Sequence, residues 1–158
     1  MKKRELVINY SEYDHIENLL DEDKKIAKAA ILATTQAYAP YSNFKVGAAV
    51  RLDTGELVKG SNQENIAYPS GLCAERTAMF YAGHKYPNSK IVSIAIAACK
   101  NDILTELPIS PCGACRQVMA EYQTKGAVPI SVILIGSKKV IKFEKINDIL
   151  PFIFDSLK

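Results

Sequence analysis

The sequence predicts an α/β fold, a three-layer α/β/α sandwich around a central mixed β-sheet. Short apolar runs of strand length alternate along the chain with stretches of helical periodicity, which places helices on both faces of a sheet. The most apolar run, residues 91–98, is interrupted only by Ser93 and is rich in β-branched side chains, the pattern of a strand covered on both sides. A length of 158 residues allows one well-packed domain, 1–158, and is short for two.

Taken in order, residues 24–38 carry Ile26, Ala30, Ala33 and Ala37 on one helical face, and Ala39-Pro40-Tyr41-Ser42 stops that helix. Residues 44–52 read as a strand, Asp53-Thr54-Gly55 as a turn, and 56–60 as the returning strand of a hairpin. A polar stretch at 61–65 and Pro69-Ser70-Gly71 lead to a second helix at 73–83. After the 91–98 strand, Ser110 is expected to cap a third helix and Pro111 to open it, so that Cys112 and Cys115 occupy its first turns. Residues 130–135 are a further buried-type strand and 139–143 another. The tail from Ile146 is apolar and aromatic, with Ile149, Leu150, Phe152, Ile153 and Phe154. Residues 1–20 are an N-terminal extension to which no role is assigned, and Lys2-Lys3-Arg4 is expected to be a solvated basic start.

Composition narrows the function classes. Hydrophobic residues at 48% and charged residues at 23% are ordinary for a soluble globular protein. A net charge of +3 with signs interspersed gives no basic channel of the kind nucleic acid needs, so no nucleic-acid partner is expected. The basic start is followed by Glu5, Asn9, Glu12 and Asp14 rather than an apolar core, so no signal peptide is expected. The longest apolar run is far too short to cross a bilayer, and no membrane partner is expected. Without an export signal the four cysteines read as metal or redox chemistry rather than disulfides, which points to the cytoplasm.

Two segments carry the chemistry: Cys73-Ala74-Glu75 and Pro111-Cys112-Gly113-Ala114-Cys115. Three thiols suit zinc, which is tetrahedral, and leave its fourth position open to water. Glu75, close to a ligand, is then placed to work on that water rather than to bind the metal. Cys112 and Cys115 emerge on one helix face, and free N–H groups at a helix start favour the thiolate. A CxxC alone also fits a redox dithiol, but joined to Cys-Ala-Glu it points to a catalytic metal. Cys99 has no ligand spacing around it and reads as core. Three thiolates and one zinc ion sum to a net negative charge, which Arg76 is expected to offset at a ligand sulfur, with Gln117 as a weaker second donor.

Four segments, in order, resemble the cytidine deaminase family in its small oligomeric three-cysteine form. They are Tyr41-Ser42-Asn43-Phe44-Lys45-Val46-Gly47-Ala48-Ala49, Gly60-Ser61-Asn62-Gln63-Glu64-Asn65, Cys73-Ala74-Glu75-Arg76-Thr77-Ala78 and Ser110-Pro111-Cys112-Gly113-Ala114-Cys115-Arg116-Gln117. The resemblance implies one zinc per subunit on Cys73, Cys112 and Cys115, with Glu75 as the catalytic acid and base. It implies that Asn62 and Glu64 hold the ribose hydroxyls, which an amide and a carboxylate suit, although turn chemistry alone accounts for such a pair. Phe44 would pack on the nucleoside or simply fill the core, and backbone groups around Ala74 and Cys112 would read the base edge. The family likeness also implies a homotetramer in which Phe154 reaches a neighbouring site and Tyr68 lies at another interface. Docking of the apolar tail on its own core is the alternative. The implied reaction is zinc-dependent hydrolytic deamination of cytidine and deoxycytidine to uridine, deoxyuridine and ammonia, in pyrimidine salvage. Its rivals are a deaminase of another cytosine nucleoside of the blasticidin type, a nucleic-acid cytosine deaminase and a non-catalytic zinc-stabilised module. The last has no use for Glu75.

Overall fold

Seven strands form one mixed sheet in the computed structural model, which describes residues 1–155. The final residues of the expected domain, 156–158, lie outside the described residues. In chain order the elements are β1 (Ser11–Tyr13), α1 (Asp21–Ala33), β2 (Phe44–Leu52), β3 (Leu57–Ser61), α2 (Ala74–Lys85), β4 (Ile91–Lys100), β5 (Ile103–Leu104), α3 (Gly113–Gly126), β6 (Ser131–Ile135) and β7 (Val140–Phe143). The sheet runs β1-β7-β6-β4-β2-β3, and the short β5 pairs with the end of β4. Among the described strands only β4 and β6 pair in parallel, joined by the crossover that contains α3.

Each face of the sheet has its own core. Ile26, Ala27 and Ala30 of α1 pack on Ala49, Ala95, Ala97, Ile133 and Ile135. On the other face Ala74, Ala78, Met79 and Ala82 of α2, with Cys115 and Met119 of α3, pack on Ala48, Val50, Ile94 and Ile96. Successive residues in the middle of β2 and β4 therefore go to opposite cores, which is why 48–50 and 94–99 read as unbroken apolar runs. This is the expected three-layer sandwich.

Several boundaries differ from the sequence reading. The first helix starts at Asp21, earlier than the apolar periodicity suggested, because Asp21, Glu22 and Asp23 suit the positive end of the helix dipole. It tightens into a 3₁₀ turn at Thr34–Gln36, where the Thr34 and Thr35 hydroxyls bond the Ile31 and Leu32 carbonyls, both at 2.8 Å. Ser110 does not cap the third helix and Pro111 does not open it; Cys112 is the N-cap and Gly113 the first helical residue. The Arg116 side chain accounts for the shift, since its Nε donates to the Pro111 carbonyl at 2.9 Å and holds that peptide outside the helix. The N-terminal extension, unassigned from sequence, supplies the edge strand β1, whose Tyr13 packs on the α1-side core.

Candidate functional site

The site is built where two helices begin. Gly60 lets β3 press against the start of α2: a Cβ there would lie 2.4 Å from the Ala78 nitrogen and 2.7 Å from the Ala74 carbonyl oxygen. Cys73 is the N-cap of α2 and Cys112 the N-cap of α3, and each accepts the first helical hydrogen bond, from Thr77 and Arg116 respectively. The Sγ atoms of Cys73, Cys112 and Cys115 all lie within 4.8 Å of one another, with Cys112 and Cys115 at 3.5 Å. A tetrahedral zinc with Zn–S bonds of about 2.3 Å would space its sulfurs at about 3.8 Å, so the thiol triangle fits the ion. Cys99 stands apart, buried, with its thiol 3.5 Å from the Thr34 hydroxyl.

The thiols differ in their protonation. Burial pushes the Cys115 thiol well up, and the nearby Glu75 and Cys73 charges add to that rise. Burial also opposes ionisation of Cys112, but the Cys115 backbone N–H and the two neighbouring thiols outweigh it and bring Cys112 down. Such a cluster holds protons until a cation displaces them. Arg76 turns its Nη2 toward Cys73 Sγ at 3.4 Å, while its buried Nε has no partner among the described residues.

Glu75 follows in the first turn of α2 and is 5% exposed. Burial raises its carboxyl above the ordinary range, only partly offset by its own backbone N–H, the Cys115 thiol and the Arg76 charge. No ion pair among the described residues includes it. A carboxylate in that setting binds a proton readily, as a general base needs to.

Beside the thiols, Asn62 grips the start of β2 and Glu64 the loop that enters it. Asn62 Oδ1 accepts from the Val46 N–H at 2.7 Å and its Nδ2 donates to the Phe44 carbonyl at 3.0 Å. One amide hydrogen and one lone pair of Asn62 stay free. Glu64 accepts from the Tyr41 and Ser42 N–H groups at 2.9 and 3.3 Å and from the Ser42 hydroxyl. That hydroxyl is the main reason its carboxyl sits below the ordinary value. A cavity of about 220 Å³ lined by Tyr41, Asn62, Glu64, Tyr68, Cys73 and Arg76 joins this polar pair to the thiol triangle.

The remaining expected residues fall elsewhere. Phe44 opens β2 half-buried and does not line the cavity. Ala74, fully buried, is the first residue of α2. Gln117 is engaged away from the sulfurs: its Nε2 donates to the Phe154 carbonyl at 2.9 Å and its Oε1 accepts from the Phe154 N–H at 3.4 Å. The tail divides, with Leu150 and Ile153 packed on the α2–α3 core and Phe152 and Phe154 exposed. Sequence reasoning gave no part to Ser42 or Arg116, yet Ser42 anchors Glu64, and Arg116 ties Pro111 to Ile149 through its Nη1 at 2.9 Å. Both lie inside the quoted motifs, the only sequence signal they gave.

Comparison with known proteins agrees with this geometry. Residues 20–131 match the family model described as the cytidine and deoxycytidylate deaminase zinc-binding region. A cytidine deaminase of Sporosarcina psychrophila is 42% identical over 139 residues, covering 88% of this chain and 90% of its own. One from Halalkalibacterium halodurans is 47% identical over 96 residues, 61% of this chain and 68% of its own. The crystal structure of cytidine deaminase from Burkholderia pseudomallei superposes with a TM-score of 0.68 at 38% identity, over 82% of this chain and 97% of that one.

Proposed function

This chain belongs to the cytidine and deoxycytidylate deaminase family, and we propose that it hydrolyses cytidine and deoxycytidine to uridine and deoxyuridine with release of ammonia. The observation that carries the reading is a buried carboxylate, Glu75, with no ion pair among the described residues, beside the Cys115 thiol of a triangle sized for zinc. Cys73, Cys112 and Cys115 would hold one zinc per chain, and the ion when bound supplies the charge that makes a water acidic. Glu75 takes a proton from the attacking water and delivers it to the ring nitrogen beside the amine-bearing carbon. It then carries a second proton from the added oxygen to the departing amine. Arg76 moderates the charge on Cys73, so that the thiolates do not cancel the pull on that water.

Asn62 and Glu64 take the sugar hydroxyls with the hydrogen-bonding capacity the loop leaves them, and Phe44 and the backbone at Ala74 flank the base. A carboxylate beside the sugar selects nucleosides over their phosphates, because Arg76, the cation that shares the cavity with Glu64, is turned toward Cys73 Sγ rather than toward the sugar. The exposed Phe154, Phe152 and Tyr68, at 67%, 89% and 81%, fit a homotetramer whose sites are completed across subunits. Thiols that must stay reduced to take zinc suit a reducing cytoplasm, where the reaction would serve pyrimidine salvage. No helix among the described residues is long and apolar enough to cross a membrane.

The test follows the fall in ultraviolet absorbance as purified protein converts cytidine. Cytidine and deoxycytidine should turn over well. Comparable turnover of cytidine monophosphate or a cytosine-containing oligonucleotide would overturn the nucleoside reading, and preferential turnover of blasticidin would overturn cytidine as the substrate.

A further inference from the structure

The N-terminal extension ends in β1, which is the edge of the sheet: β7 lies on one side, and no strand among the described residues lies on the other. The chain before it leaves Leu6, Val7, Ile8 and Tyr10 exposed at 59%, 70%, 43% and 55%. Outside the β1–β7 ladder, the described backbone hydrogen bonds include none from residues 1–10. An apolar segment running into an open strand edge is a template for pairing. The β1 register continues beyond the strand, since it puts Tyr10 opposite Phe143, and the two rings do meet with centroids 5.7 Å apart.

In a strand, alternate residues share a face. One face of this segment reads Lys2, Arg4, Leu6, Ile8, Tyr10 and Glu12, with Asp14 following at the bend just past β1. Its two ends carry opposite charge and its middle is apolar. Reversed and laid against itself about Ile8, the face puts Lys2 opposite Asp14, Arg4 opposite Glu12 and Leu6 opposite Tyr10. Moving the centre half a residue toward the C-terminus puts Glu5 opposite Glu12; moving it the other way puts Arg4 opposite Ser11 and Glu5 opposite Tyr10. Charges placed only to discourage edge pairing would not be sorted by sign at the two ends of one face. Glu12 does hold Lys139 at 3.0 Å, but its side chain is 44% exposed and one oxygen remains for Arg4.

We propose that residues 2–14 pair in antiparallel fashion with the same segment of a second copy of this chain, centred on Ile8, joining two sheets edge to edge. The contact is separate from the deaminase site and does not depend on that reading, for the family match begins only at residue 20.

Cysteine scanning of the zinc-loaded full chain tests both the pairing and its register. Facing residues of an antiparallel pair lie about 4.5–5.5 Å apart, within disulfide reach, so two copies of Ile8→Cys should link under mild oxidation. Two copies of Leu6→Cys, about 13 Å apart along the strands, should not link, whereas Leu6→Cys mixed with Tyr10→Cys should. Peptide mapping identifies the linked residues and sets aside the native thiols. In the Ile8→Cys background, Arg4→Glu alone and Glu12→Arg alone should each slow linking at least tenfold, and mixing the two should restore it, because only the mixed pair is complementary at both ends. Absence of the position-8 link, equal linking through position 6, or indifference to both charge reversals would overturn the proposal.

Discussion

Two carboxylates in this protein are buried alike, and their neighbours give them opposite uses. Asp23 and Glu75 are each 5% exposed, and each sits in the first turn of a helix, where the dipole favours negative charge. Asp23, on the α1 face, meets Lys142 at 3.0 Å and Arg51 at 4.0 Å, so it ties α1 to β7 and β2 as a charged strut. Glu75, on the opposite face, has the Cys115 thiol for company and no ion pair among the described residues. Burial alone does not mark a catalytic acid. A buried acid with cations holds structure together, and one without them is left to handle protons.

That contrast sets what should break. The largest loss should come from Cys112→Ala, which removes one corner of the thiol triangle: metal analysis should find most of the zinc gone, and turnover should fall roughly 10⁴-fold or more. Cys99→Ala, on the other core, should keep its zinc. Asp23→Asn weakens the strut but leaves Lys142 with Glu144 and Arg51 with Glu22, and should cost about 2 kcal/mol, read from the denaturant midpoint. Turnover per folded molecule should stay near normal, and a collapse of turnover without loss of stability would erase the distinction between the two acids. Cutting the chain after Pro151 removes Phe152 and Phe154. That should raise KM for cytidine about tenfold while zinc stays bound. The smallest effect belongs to Ser42→Ala, which frees one Glu64 oxygen and should raise KM only a few-fold.

The contrast between the acids was only half visible in the sequence. Cys73, Glu75, Cys112 and Cys115 could be read because their spacing at helix starts is local, and local geometry follows from chain order. The strut could not, because Asp23 and Lys142 meet only when α1 is laid across the sheet. The alternation of strands and helices carried the layered architecture, but β1 has a single apolar residue in three and exists only because β7 pairs with it. Ser110 and Pro111 made a convincing helix start until the Arg116 side chain, six residues past Ser110, claimed the Pro111 carbonyl. Gly60 gave no sign that a helix would press on it.

The central claim is that three thiols hold the metal and Glu75 is free of it. Glu75→Gln keeps the shape of the side chain and removes only its capacity to carry protons, so zinc content and cytidine turnover measured on one preparation test the claim directly. The account predicts one zinc per chain, as in the unaltered protein, with turnover down by roughly 10²–10⁴ or more. Loss of zinc along with activity would make Glu75 a ligand, and retention of both would mean that another group moves the protons.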